Sequence, residues 1–129
     1  MKKILVILTF GPDKREDNLE KQLNFFTSYN NPPDIIITDQ SIDTWKKKPE
    51  APFIKGVYHY PVSKFSMYEM WEDVLKRYKH EYVCWNNDDD FLNPKAINMA
   101  EELIKKDNSF SYICGQVIQI TGYKSEIFN

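Results

Sequence analysis

The chain has 129 residues, 42% of them hydrophobic, 15% aromatic and 28% charged; that length fits one domain with one core, and the mix is too apolar for a disordered chain and too charged for a membrane-spanning one. Lys and Arg number 17 against 19 Asp and Glu, a formal net charge of -2. No global positive field exists to hold a nucleic acid or an anionic bilayer, and no nucleic-acid partner is expected.

The first apolar run, Ile4 to Leu8, follows Lys2 and Lys3 and is far shorter than the roughly 20 residues that span a bilayer. Gly11-Pro12-Asp13 offers no signal-peptide cleavage pattern. No transmembrane segment is therefore expected, and the expected location is cytoplasmic, with peripheral membrane attachment through a further segment left open. The stretch from Lys3 to Phe10 is β-branched and apolar almost throughout, which predicts a strand covered on both faces. Asp17 stands three residues before Glu20 in a capping-box pattern, and Leu19, Leu23, Phe26 and Tyr29 follow at helical spacing up to the Asn30-Asn31-Pro32-Pro33 stop. Asp34 to Thr38, built on Ile35, Ile36 and Ile37, predicts a second buried strand ending in the turn Asp39-Gln40-Ser41 and completes a strand-helix-strand unit.

From Ile42 to Lys55 the chain carries Trp45, Lys46 to Lys48, Pro49 and Pro52 without a sustained period and reads as a loop. Val57 to Tyr60 predicts a short strand closed by Pro61. Ser66 with Glu69 makes a capping box for a helix whose stripe is Met67, Met70, Trp71, Val74, Leu75 and Tyr78. Glu81 to Trp85 predicts a strand closed by Asn86-Asn87-Asp88-Asp89-Asp90. Asn93 then caps and Pro94 starts a helix running to about Asp107, with Ala96, Ile97, Ala100, Leu103 and Ile104 as its buried stripe. A last strand is expected from about Phe110 to Ile120. Cys84 and Cys114 lie in apolar stretches and form no CxxC pair, so both are read as buried, reduced thiols.

Strands alternating with helices predict an α/β fold, an open and mostly parallel central sheet with helices on both faces, in which ligands bind outside the carboxyl ends of the strands. That rule selects Thr9-Phe10-Gly11, Asp39-Gln40-Ser41 and Asn87-Asp88-Asp89-Asp90. Adjacent carboxylates repel by about 1 kcal/mol per pair in water and by more in a cleft, so the run from Asp88 to Asp90 calls for a cation or full solvation. Oxygen ligands suit Mn2+ or Mg2+, and a site with one or two protein carboxylates leaves the remaining coordination to water and to a substrate diphosphate. A solvated turn leading into the helix capped by Asn93 is the plain alternative. Lys64 stands where it would reach a phosphate, or else is a solvated lysine. His59 and His80 fit no metal-ligand spacing, Met67, Met70 and Trp71 read as core, and Gly11 and Gly56 build neither a GxGxxG nor a P-loop.

The segment from Tyr82 to Pro94, Tyr-Val-Cys-Trp-Asn-Asn-Asp-Asp-Asp-Phe-Leu-Asn-Pro, resembles the part of family 2 glycosyltransferases of the GT-A fold in which a strand ends in an acidic DxD-type motif and a proline opens the next helix. The stretch from Ile35 to Asp43 is similar to that family's strand ending in an Asp, followed by a turn with Ser and a second Asp. The resemblance runs through nearly the whole chain in order and spacing. It implies a glycosyltransferase, or its donor-binding half, that transfers a sugar from a nucleotide-sugar donor to the hydroxyl of a glycan, lipid-linked or protein acceptor. Thr9 and Phe10 would border the nucleobase, and Asp39 would contact base or ribose. Lys64, Asn87 and Asp88 join them on the nucleotide side, with Asp89 and Asp90 as metal ligands for Mn2+ or Mg2+. The proline spacing favours Asn87-x-Asp89 as the motif, and Asp88-x-Asp90 is the competing register. Family members continue into an acceptor-binding half that supplies the base, so the base is unassigned and the chain is expected to be one GT-A-like domain, either a fragment or a minimal relative. An apolar sheet surface left uncovered near the carboxyl end, with Tyr123 and Phe128, would then favour self-association into a homo-oligomer. A module that binds nucleotide or metal without turnover is the alternative reading.

Overall fold

The computed structural model describes residues 2–11, 16–42, 49–87, 90–109, 112, 117–121 and 124–128. Four strands, β1 (Ile4–Phe10), β2 (Asp34–Asp39), β3 (Ile54–His59) and β4 (Tyr82–Asn87), form one sheet in the order β3-β2-β1-β4, and all neighbours are parallel. The α/β class with an open parallel sheet is thus what the chain adopts. The apolar run of β1 is buried along its entire length, as expected for a central strand with helices on both sides.

The helices divide between the faces. On one face α1 (Glu16–Thr27) and α3 (Pro94–Lys106) pack Leu19, Leu23, Phe26, Ile97 and Ile104 against Ile4, Val6, Leu8, Phe10, Ile35 and Ile37. On the other, α2 (Met67–Arg77) packs Met70 and Val74 against Leu5, Ile7 and Ile36. The capping box of α2 is formed as the sequence implies: Ser66 Oγ accepts from the Glu69 N–H and Glu69 accepts from the Ser66 N–H. Asn93 caps α3 and Pro94 opens it. Because every connection out of a strand leaves at its carboxyl end, α1, α2 and α3 all begin on that side of the sheet, where their positive ends favour an anion.

Several expectations are corrected. Helix α1 starts at Glu16, so Asp17 lies inside its first turn and not ahead of it. Strand β3 begins at Ile54, not Val57, with a bulge where Ile35 pairs Ile54 but Ile36 pairs Gly56; the extra Lys55 and a glycine hide the strand in the sequence. Of the last strand expected from Phe110 to Ile120, residues 110, 111 and 113–116 lie outside the described residues; β5 (Val117–Thr121) covers its end and pairs antiparallel with β6 (Lys124–Phe128), which was not expected. Leu103 is 46% exposed, and Glu101 occupies the buried stripe of α3 instead. The reason is polar: the Glu101 carboxylate accepts from the N–H of Lys3 (2.8 and 3.0 Å) and of Ile4 (2.7 Å), closing the amino end of β1. Among the described residues no helix is long and apolar enough to cross a membrane.

Candidate functional site

The carboxyl ends of β1, β2, β3 and β4 stand side by side. Register pairs Thr9 with Thr38 and Asn87, Phe10 with Asp39, and Asp39 with His59. Of the residues singled out in the sequence, Thr9, Phe10, Asp39 and Asn87 therefore share one edge. Lys64 is exposed in the turn that follows β3 on that same edge, where its N–H donates to Pro61 O (2.9 Å). Asp90 is exposed just beyond β4, and its N–H donates to Asn87 O at 3.3 Å. Asp88 and Asp89 lie outside the described residues, as do Tyr123, Cys114 and the lysines from Lys46 to Lys48.

Strand alternation sends these residues to two sides of the edge. Phe10, Asp39 and His59 lie on the side of α1 and α3. The ring of Phe10 is buried in the core there, so only its backbone reaches the edge, where its carbonyl accepts from the Gln40 N–H at 2.8 Å. Asp39 is buried, and its Oδ1 accepts from the Ser41 N–H (2.9 Å) and Ser41 Oγ (2.5 Å), which fixes the turn after β2. His59 Nε2 donates to Ser41 O at 2.7 Å, and the Tyr60 N–H donates to Asp39 O at 2.7 Å, so the ends of β2 and β3 are held together beyond the sheet.

Thr9, Thr38 and Asn87 lie on the α2 side. The hydroxyls of Thr9 and Thr38 are 3.0 Å apart, and Thr9 Oγ1 accepts from the indole N–H of Trp85 at 2.6 Å. Strands β1 and β4 are neighbours although β2, β3 and the three connections among them, α1, a loop and α2, separate them in sequence; that reversal of strand order is where open α/β sheets bind ligands. Thr9 and Asn87 face each other across it.

Sequence reasoning missed two residues that shape this edge. Trp85 precedes Asn87 by two, which in a strand puts both on one face, and that period was the available signal. Gln22 sits three residues after Leu19 on the buried stripe of α1, where a polar residue stands out. It is 3% exposed, donates from Nε2 to Leu92 O (2.9 Å) and accepts from the Leu92 N–H (2.7 Å). This paired contact ties the exit of the acidic segment to α1.

Cys84 is a free, half-buried thiol whose surroundings push its pKa up. His80 lies at the opposite end of the sheet, where its Nε2 meets Asp34 Oδ2 at 2.9 Å. Among the described residues no group of three or more His, Cys, Asp and Glu gathers as a metal site. Asn87 and Asp90, which bracket Asp88 and Asp89, each carry a side-chain oxygen, the donor type that Mg2+ and Mn2+ take. Comparison with protein-family models, with curated proteins and with solved structures gave no match.

Proposed function

We propose that the carboxyl edge of this sheet binds the nucleoside diphosphate of a nucleotide-sugar donor, and that the chain serves as the donor-binding part of a glycosyltransferase acting on an acceptor hydroxyl. The observation that carries the reading is the pairing of Thr9 with Asn87 across the strand-order reversal, with the acidic run starting directly after Asn87. Three helix starts on that side favour the negative diphosphate. The buried Asp39–Ser41 turn gives the base and ribose a rigid wall. Asp89 and Asp90 would hold Mn2+ or Mg2+, with Asn87-x-Asp89 the favoured register and Asp88-x-Asp90 the competing one, and the ion would neutralise charge on the departing nucleoside diphosphate. Lys64, exposed in the turn after β3 on the same edge, would add a positive charge facing the donor.

Calorimetric titration with UDP, GDP and CDP, with and without Mn2+, tests this. Binding that needs the metal is expected, with Asp89→Ala weakening it at least tenfold and Asp88→Ala doing less. Equal loss in the two would break the Asn87-x-Asp89 register, and nucleotide binding indifferent to all three aspartates would return the triplet to a solvated turn. A hydrolysis assay on the matching nucleotide sugars distinguishes turnover from binding alone.

A further inference from the structure

Helix α2 buries Met70 and Val74 over β1 and β2 but does not reach across β4. Val83 is left 44% exposed and Trp85 36% exposed on the α2 face, and Tyr68 on the first turn of α2 is 79% exposed. The rings of Tyr68, Trp71 and Trp85 form a contiguous step. Tyr68 meets Trp71 at 86° with centroids 6.0 Å apart, and Trp71 meets Trp85 at 75° with centroids 5.3 Å apart. An exposed indole ordinarily samples several rotamers. Here Trp85 is held by its N–H bond to Thr9, which is itself bonded to Thr38, as well as by the edge of Trp71, so a polar chain and a ring contact together set its orientation.

We propose that Tyr68, Trp71 and Trp85 form a stacking platform for a pyranose ring beside the crevice between β1 and β4. The role of that ring as the acceptor sugar rests on the donor-site reading above; its binding does not. Three features select the ligand class. The rings meet at steep angles, so a puckered ring with C–H bonds on both faces touches more than one of them, whereas a planar base overlaps only one. Asn87 follows Trp85 by two on the same face, and among the described residues nothing bonds its side-chain amide, which offers both a donor and an acceptor to a sugar hydroxyl. The platform carries no charge, and the nearby Glu72 and Lys76 of α2 pair with each other at 3.0 Å, so the surface suits a neutral, amphipathic ligand. The platform is continuous with the edge that holds Thr9 and Asn87.

The chain has three tryptophans, hence three indole N–H resonances, and single substitutions assign them. Methyl β-D-glucopyranoside, methyl β-D-galactopyranoside and lactose are titrated by proton–nitrogen NMR in EDTA without nucleotide, so that the outcome is independent of the donor site. Saturable, millimolar shifts of the Trp85 and Trp71 resonances are expected for at least one of these sugars. Tyr68→Ala, at an exposed position where the fold tolerates it, weakens the response at least tenfold, and Trp85→Ala abolishes it. The inference is overturned if no sugar gives a saturable shift, or if Tyr68→Ala leaves the shifts intact. It is overturned equally by shifts from uridine with none from any sugar, which would mark a base platform. Shifts that follow protein concentration alone would assign the face to contacts between copies and also overturn it.

Discussion

The two ends of the parallel sheet handle polar groups differently. At the amino end, charges close on one another or on strand backbone. Glu101 takes the first N–H groups of β1, Asp34 takes His80 with Lys55 at 3.9 Å, and Lys3 pairs with Glu81 at 2.8 Å. At the carboxyl end, an inner layer is equally closed, through Asp39 with Ser41, His59 with the Ser41 carbonyl, and Thr9 with Trp85. Beyond it stands an outer rim of half-buried Asn87 with exposed Lys64 and Asp90. The inner layer thus makes the edge rigid, and the rim gives it something to present. That is the division expected of a fold whose helices all start on one side: the amino end has only to terminate, while the carboxyl end collects positive dipole ends and loops.

Substitutions that remove one layer at a time sharpen the contrast. The largest effect is expected at the amino end, where Glu101→Ala leaves the buried N–H of Ile4 and the part-buried N–H of Lys3 without their charged acceptor; a loss of roughly 3 kcal/mol in urea denaturation is expected, with nucleotide and sugar binding unchanged in the protein that remains folded. Gln22→Ala, which orphans the N–H and C=O of Leu92, costs about 2 kcal/mol. Unlike the first substitution it acts on the binding side, accelerating hydrogen exchange at Leu92 and weakening Mn2+-dependent binding. A Gln22→Ala protein with unchanged protection at Leu92 would mean that the clamp does not hold the segment. Trp85→Phe keeps a ring but removes the donor to Thr9, and a loss of about 1 kcal/mol is expected.

The smallest effect concerns a closed pair near the carboxyl end. Tyr60 donates to Asp73 at 2.5 Å, and burial, with the Asp73 bond, raises the phenol's pKa above its usual value of 10.0. Because the folded state holds this proton more tightly than the unfolded state, the contribution is intact below pH 10 and fades as pH rises beyond it. Tyr78, whose phenol is raised by burial and by its bond to Tyr58, acts in the same direction. Tyr60→Phe should therefore flatten the alkaline fall in melting temperature, and Tyr60→Phe with Tyr78→Phe should flatten it further. Asp73 is lowered, first by its bond from Tyr60, so on the acid side its contribution is present above the ordinary carboxylate range and disappears as pH falls through its depressed pKa.

Local pattern carried much of the architecture. The isoleucine run of β2, the capping box at Ser66 and the Asn93-Pro94 start each encode their element within a few residues, because backbone propensity and capping are short-range effects. Where the reading failed, distant partners outweighed local signals. Leu103 looks like core at its helical position, but the strand end that needs an acceptor lies 98 residues away from Glu101, and the carboxylate wins the buried place. Lys55 and Gly56 look like loop, yet they extend β3 because β2 offers a neighbour with which to pair.

The same division holds for the candidate site. That polar residues close the buried strands, at Thr9, Asp39 and Asn87, is legible along the chain, since strand and turn are written locally. Packing between remote segments decided that β1 sits between β2 and β4, which sets Thr9 against Asn87 from 78 positions away. It also decided that the Phe10 ring belongs to the core and that the Asp39 carboxylate is engaged by its own turn, while the Trp85 ring stays half open on a face that α2 is too far over to cover. Such outcomes depend on which helix covers which part of the sheet, and that is settled by packing between segments remote in sequence.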